Sequence, residues 1–322
     1  MPRYRQQLPQ LSGAPFVTDG GMETTMIFHH GIDLPEFASF LLLERADGVE
    51  RIHDYFQPYL EIAKAHQASF ILESMTWRAS RDWGAKLGYS PQELAAVNRK
   101  SIEVLVELRQ EYEQAIPHIV IGGCLGPRGD GYNPQSRMSA TAAAEYHREQ
   151  IATFRETEAD LVTAFTLPYS EEAIGIVHAA QAESMPVAIS FTVETDGRLP
   201  SGETLAAAIT AVDEATNQGA AYFMVNCAHP THFAHVLESA PWAERIRAVR
   251  ANASTKSHAE LDASTELDAG HPEDLGRRYI DLAQRLPNLN VFGGCCGTDH
   301  RHVAEICRSI LPSPLPIAIT DA

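Results

Sequence analysis

Cysteine is scarce in this sequence, five residues in 322, an odd number with two of them adjacent. That argues against the evenly paired framework of a disulfide-stapled secreted domain and for metal ligation or core packing in a reducing compartment. Long apolar runs are missing as well. No stretch reaches the roughly 18 residues that span a bilayer, and the opening MPRYRQQLPQLSGAPF carries no apolar run of signal-peptide length, so the expected location is cytoplasmic with no membrane partner. Positive charge is also in deficit, 25 Lys and Arg against 42 Asp and Glu, for a formal net charge of −17. A field of that sign repels phosphate backbones, which argues against nucleic acid as a partner. No GxGxxG follows the first predicted strand, whose turn reads Asp19-Gly20-Gly21-Met22-Glu23, so a dinucleotide-binding open sheet is disfavoured. Internal repeats, low-complexity tracts and long linkers are absent.

What the chain does contain is an alternation of short β-rich apolar runs with longer amphipathic stretches. Strands are predicted at Phe16 to Asp19, Ser69 to Glu73, Ile119 to Gly123, Leu161 to Phe165, Val187 to Phe191, Tyr222 to Asn226, Ile246 to Ala251 and Asn290 to Phe292, each followed by a helical pattern. Helix starts are marked by Ser90-Pro91, Ser139, Ser170, Ser201 and His271-Pro272, since a hydroxyl at the cap accepts a free amide and proline removes one. Strand then helix, eight times over, predicts an α/β fold: one (β/α)₈ barrel domain spanning residues 1 to 322. The stretch Asn252 to Gly270 is rich in Ser, Thr, Ala and Asp and reads as a long loop at the catalytic end.

In such a barrel, chemistry sits where strands end. Val291-Phe292-Gly293-Gly294-Cys295-Cys296-Gly297-Thr298 closes the eighth strand, and Cys227 occupies the matching place after the sixth. Flanking glycines let two adjacent thiols turn toward one point. Three thiolates on one rim supply three corners of a tetrahedral zinc site and leave the fourth for substrate, the arrangement of a catalytic metal. Lone cysteines more often only fill core space, the reading given to Cys124 and Cys307. His229, His232 and His235 recur at a spacing that more often makes one helix face than a ligand set.

Gly293 to Thr298, the Asn226-Cys227 pair and the turn Thr18-Asp19-Gly20-Gly21 resemble the signature segments of the homocysteine S-methyltransferase family, which includes betaine–homocysteine and S-methylmethionine–homocysteine methyltransferases. The similarity runs from about Phe16 to Leu311. It implies a TIM barrel, a zinc held by Cys227, Cys295 and Cys296, and methyl transfer from a small sulfonium or ammonium donor to a thiol, as in methionine biosynthesis. By motif, Asp19 with Gly20 and Gly21 would position the amino acid, Thr76, Trp77 and Arg78 would contribute to substrate and donor binding, and Asn226 and Asn252 occupy family positions after the sixth and seventh strands.

Two departures bear on the acceptor. Where the family commonly has Phe-Glu-Thr-Ile-Pro, whose Glu contacts the substrate amino group, this chain reads Ala164-Phe165-Thr166-Leu167-Pro168. Around Asn252 the usual Pro and Gly are replaced by Ala251 and Ser254. Glu23 and Glu73, near strand ends, are candidates to receive a cationic donor or the acceptor's ammonium, and Trp77 to face that cation. Arg78 calls for a carboxylate on donor or acceptor. The acceptor is therefore expected to be homocysteine or a different thiol or amino-acid-derived substrate, and a zinc- and thiol-binding module without turnover is the alternative. The sequence leaves the oligomeric state open, a homo-oligomer included.

Overall fold

Strands covered on both faces need no polar alternation, and β2 (Ser69–Glu73), β3 (Ile119–Leu125), β4 (Leu161–Leu167), β5 (Val187–Phe191) and β6 (Tyr222–Asn226) are buried at every position. With β1 (Phe16–Val17), β7 (Ile246–Ala251) and β8 (Val291–Gly294) they pair in sequence order, all parallel, and close when Phe16 meets Val291. The computed structural model describes residues 1–311 of this (β/α)₈ barrel. The rest of the expected domain, residues 312–322, lies outside the described residues.

Four strands keep their expected limits and four shift. Past Val17 the chain leaves regular strand, although Gly294 N still donates to the Asp19 carbonyl at 2.9 Å. β3 and β4 each run two residues further. The extension of β4 carries a register irregularity against β5 between Ala164 and Leu167, with Thr166 at φ +60°. A bulge of this kind re-aims side chains at a barrel rim. Asn290 falls outside β8, although its carbonyl still accepts from Phe16 N at 2.8 Å, and its side-chain amide donates to the Gln10 and Ala14 carbonyls at 2.8 and 2.7 Å. Tyr4 and Leu8 of that amino-terminal segment pack into the barrel interior.

The helical layer follows the cap signals in part. Ser90 and Glu93 form a reciprocal capping box at Pro91–Tyr112, and Ser139 accepts from Ala142 N at the start of Ala140–Arg155. Thr204, not Ser201, caps Leu205–Thr216; the Ser201 hydroxyl donates instead to Glu203 at 2.7 Å. After β6 the expected helix is broken into the short pieces Pro230–Phe233, Ala234–Val236 and Pro241–Glu244. The stretch expected to be all loop, 252–270, contains a helix, His258–Asp262, capped by Ser257 and Glu260. No helix among the described residues is long and apolar enough to cross a membrane.

Candidate metal and substrate site

Cys227 follows β6 with φ +54°, a left-handed conformation that turns its thiol inward, and its amide donates to the Arg250 carbonyl at 3.1 Å. Cys295 follows β8 and donates to the Ala251 carbonyl at 2.8 Å. The end of β7, which lies between β6 and β8, thus holds both thiol-bearing loops by backbone bonds. Gly294 is required beside them because a Cβ there would collide with the Thr298 hydroxyl, and at Gly21 one would lie 2.6 Å from the Cys295 carbonyl oxygen.

The sulfurs of Cys227, Cys295 and Cys296 all lie within 4.8 Å of one another, the one such cluster of potential ligands among the described residues. Tetrahedral bonds of about 2.3 Å place sulfurs roughly 3.8 Å apart, so the cluster is suited to a metal. Cys227 and Cys295, with Cα atoms 5.4 Å apart, form a disulfide contact, which must open for both to ligate. Asn226 reaches the cluster: its Nδ2 donates to Cys227 Sγ at 3.2 Å and to Thr166 Oγ1 at 2.9 Å. Its Oδ1 is fixed by Ser190 Oγ at 2.7 Å and Thr166 N at 2.9 Å. Asn252 donates to the Cys227 carbonyl at 3.0 Å and braces that loop from behind.

Above the thiols opens a cavity of about 570 Å³. Asp19, Gly20, Gly21, Glu23, Glu73, Trp77, Arg78, Phe165, Asn226 and Asn252 all line it, as do the three cysteines and Cys124. Thr76 does not; it is fully buried, its hydroxyl donating to the Cys124 carbonyl at 2.8 Å. Burial holds the Cys124 thiol well above its ordinary pKa, so it stays neutral, and Cys307 packs in the outer core. Two of the three histidines are taken up elsewhere, and His235 is exposed. His229 caps Pro230–Phe233 and is pushed down to about 4 by burial, and His232 bonds the Thr255 carbonyl at 2.9 Å.

Several wall residues were not singled out from the sequence. Arg250, on β7, pairs with Asp19 at 2.8 Å and donates to the Gly294 and Gly20 carbonyls, both at 2.9 Å. Its guanidinium carbon is 5.3 Å from the Phe165 ring centroid. Asp19 also accepts from Tyr55 at 2.9 Å; burial raises its pKa while Arg250 and Tyr55 oppose the rise. The Tyr132 and His258 rings lie 3.9 Å apart, bringing the 252–270 stretch against the loop after β3. The capping box of Ser257 and Glu260 is the local signal in the sequence from which the helix in that stretch could have been read.

Glu73 sits deepest. Its Oε1 accepts from Thr163 at 2.7 Å and Oε2, pressed against Gly122, has no partner. Burial pushes its pKa up from 4.5 to about 7, against the Thr163 hydroxyl and the Arg250 charge, while Asp19 adds to the rise. Because the folded-state value is the higher one, the stability this group contributes is present below about 4.5 and lost as pH rises through 7. Glu73→Gln is therefore expected to stabilise the protein by about 3 kcal/mol at about pH 8, and by much less at about pH 4.5. Denaturant unfolding at the two pH values measures this; an equal difference at both would refute it.

The homocysteine S-methyltransferase family model matches residues 16–310. Homocysteine S-methyltransferase 3 of Arabidopsis thaliana is 22% identical over 94% of this chain and 91% of its own length. Homocysteine S-methyltransferase YbgG of Bacillus subtilis (strain 168) is 24% identical over 90% and 92%. Among solved structures, the metallated form of the homocysteine methyltransferase MmuM from Escherichia coli superposes with a TM-score of 0.70 at 19% identity, covering 91% of this chain and 95% of that one. That likeness bears on the fold.

Proposed function

The chain belongs to the homocysteine S-methyltransferase family, and from that premise we propose that it transfers a methyl group from a small sulfonium or ammonium donor to a thiol acceptor at a zinc held by Cys227, Cys295 and Cys296. The observation that carries this reading is the convergence of three sulfurs, within 4.8 Å of one another, at the floor of a closed-in cavity. Zinc, when bound there, supplies the positive charge that keeps an acceptor sulfur deprotonated at neutral pH. The chain's residues do the remainder. Asn226 donates to the sulfur cluster and fixes its orientation. Glu23, Glu73 and the aromatic walls favour a cationic donor over an anionic one. Enclosure aligns donor and acceptor for in-line displacement, in which the thiolate lone pair forms the new S–C bond and the old bond's electrons leave with the donor's sulfur or nitrogen. No general base is needed in that step.

A specific observation favours an acceptor pocket unlike that of a homocysteine enzyme. Phe165 supplies no carboxylate, and Asp19 is held by Arg250 and Tyr55. Phe165→Glu places a carboxylate beside Arg250, leaving that charge shared between two acids and one acid free to meet an ammonium. It is expected to lower KM for homocysteine about tenfold, the worth of one charge-assisted hydrogen bond. Steady-state kinetics check this, and a higher KM would show that another residue already receives the amino group. The activity itself is tested by screening thiols against sulfonium and quaternary ammonium donors with the zinc-loaded protein, read by mass spectrometry. A methylated thiol is expected; no product with any pair would leave only a binding module.

A further inference from the structure

Arg78 is a cation in the cavity wall without an anion. Its guanidinium carbon lies 3.8 Å from the Trp77 ring centroid and 3.6 Å from that of Trp83, so two indoles grip the plane from both sides. Trp83 is itself anchored by Nε1 donating to the Pro127 carbonyl at 3.2 Å. The one hydrogen bond the guanidinium makes is a long one, from Nη1 to the Gly129 carbonyl at 3.4 Å, and no carboxylate pairs with it among the described residues. Burial draws its pKa down to about 10, which leaves it charged at neutral pH. A half-buried cation held rigid, facing a cavity and lacking a counter-ion is arranged for an anion that arrives with a ligand.

Glu23 is its complement. One oxygen is fixed by the Ser39 hydroxyl at 2.7 Å, and no cation pairs with the carboxylate among the described residues. It lines the same cavity, and its charge is felt by both Arg78 and Cys296. The other acids of the cavity wall are placed differently: Asp19 is bound to Arg250, Glu73 lies against Gly122 and Thr163, Asp268 pairs with Lys256 and accepts from Ser254, and Asp130, Asp262 and Glu266 are exposed.

We propose that Arg78 and Glu23 form a two-point receptor for an α-amino-acid head group, the carboxylate bound by Arg78 and the ammonium by Glu23, with the remainder of that substrate directed at the cysteine cluster. The proposal rests on the methyltransferase reading and assigns the amino-acid partner to residues other than the Asp19 turn. The head group belongs to either the thiol acceptor or the methyl donor, a shared chemistry that kinetics separate: if it is the acceptor's, Glu23 already receives the amino group and Phe165→Glu leaves the KM for homocysteine unchanged or raises it, and if it is the donor's, Phe165→Glu lowers that KM.

The test is a titration of the zinc-loaded protein, followed by tryptophan fluorescence, with methionine, its des-amino analogue and its carboxamide. Trp77 and Trp83 flank Arg78, so the signal reports binding without turnover. Wild type is expected to prefer methionine. Arg78→Met should weaken methionine about tenfold or more and abolish the preference over the carboxamide; Glu23→Gln should abolish the preference over the des-amino analogue. Arg78→Lys, which keeps the charge but loses the planar fork, should fall between, and thermal melts confirm that the variants fold. Equal loss for all three ligands, or no loss, overturns the proposal. In turnover, a raised KM confined to the acceptor or to the donor supports it and says which carries the head group; a raised KM for neither overturns it. Thiol methylation by a wild type that does not discriminate the three ligands sinks the receptor and leaves the methyltransferase reading intact. Discrimination without methylation of any thiol does the reverse.

Discussion

Serine at any one of Cys227, Cys295 and Cys296 is expected to strip the protein of stoichiometric zinc and to cut methyl transfer by at least about a hundredfold. Loss of outer-sphere partners alone commonly costs about 10- to 100-fold in metal affinity, and a direct ligand is worth more. Serine oxygen is a harder and far less acidic donor than a thiol, so the remaining two sulfurs cannot close the site. Metal analysis of purified protein reads the first effect and product formation the second. Loading must be done under reducing conditions, because Cys227 and Cys295 otherwise pair with each other. Cys124→Ser and Cys307→Ser are the controls: one thiol lines the cavity outside the cluster and the other packs in the core, so both variants should keep their zinc. Unchanged zinc in all three cluster variants would sink the assignment, and loss confined to Cys124→Ser would place the metal elsewhere.

Arg250→Met is expected to destabilise the protein by about 3 to 5 kcal/mol, the usual effect of removing one partner from a buried ion pair. The side chain ties Asp19, in the turn after β1, to β7 and also donates to the carbonyls of Gly20 and Gly294. Its removal strands a carboxylate that is only 4% exposed, with Tyr55 as its remaining side-chain donor. Without Arg250, burial raises the Asp19 pKa further. The sign follows: the variant's deficit should be greatest at neutral and higher pH and shrink as Asp19 takes up a proton in acid. Adding Asp19→Asn should recover part of the loss, because the uncompensated charge is then gone. Denaturant unfolding of the single and double variants measures both effects, and additive losses would show that the two side chains act independently.

Much of the barrel was legible because its signals are local. The apolar runs of β2, β5, β6 and β7 are bounded by turn residues, and Ser90 with Glu93 announces its helix within four positions. The extra residues of β3 and β4 were not legible, since a ladder lengthens when the neighbouring strand offers partners: Cys124 and Leu125 pair with Thr163 and Ala164. Thr204 prevailed over Ser201 as a cap because the Ser201 hydroxyl had a carboxylate within reach at Glu203. Thr76 was placed with Trp77 and Arg78 by the family motif, yet neighbouring side chains at a strand end diverge, and its hydroxyl donates to the Cys124 carbonyl.

By itself the sequence determined the architecture and the three cysteines that come together in a cluster suited to a metal. Strand–helix periodicity and three cysteines at two strand ends are written in short segments, and the chemistry of a thiolate does not depend on what surrounds it. Only the tertiary structure decided which charges remain free in the cavity. Asp19, a candidate substrate contact, has its charge met by Arg250, 231 residues further along. Arg78 became a free cation held between indoles rather than a surface ion pair because Trp83 folds over it. The physical reason is that a charge's role depends on its nearest partner and on the water around it, and in a closed barrel both are supplied by residues far away in sequence.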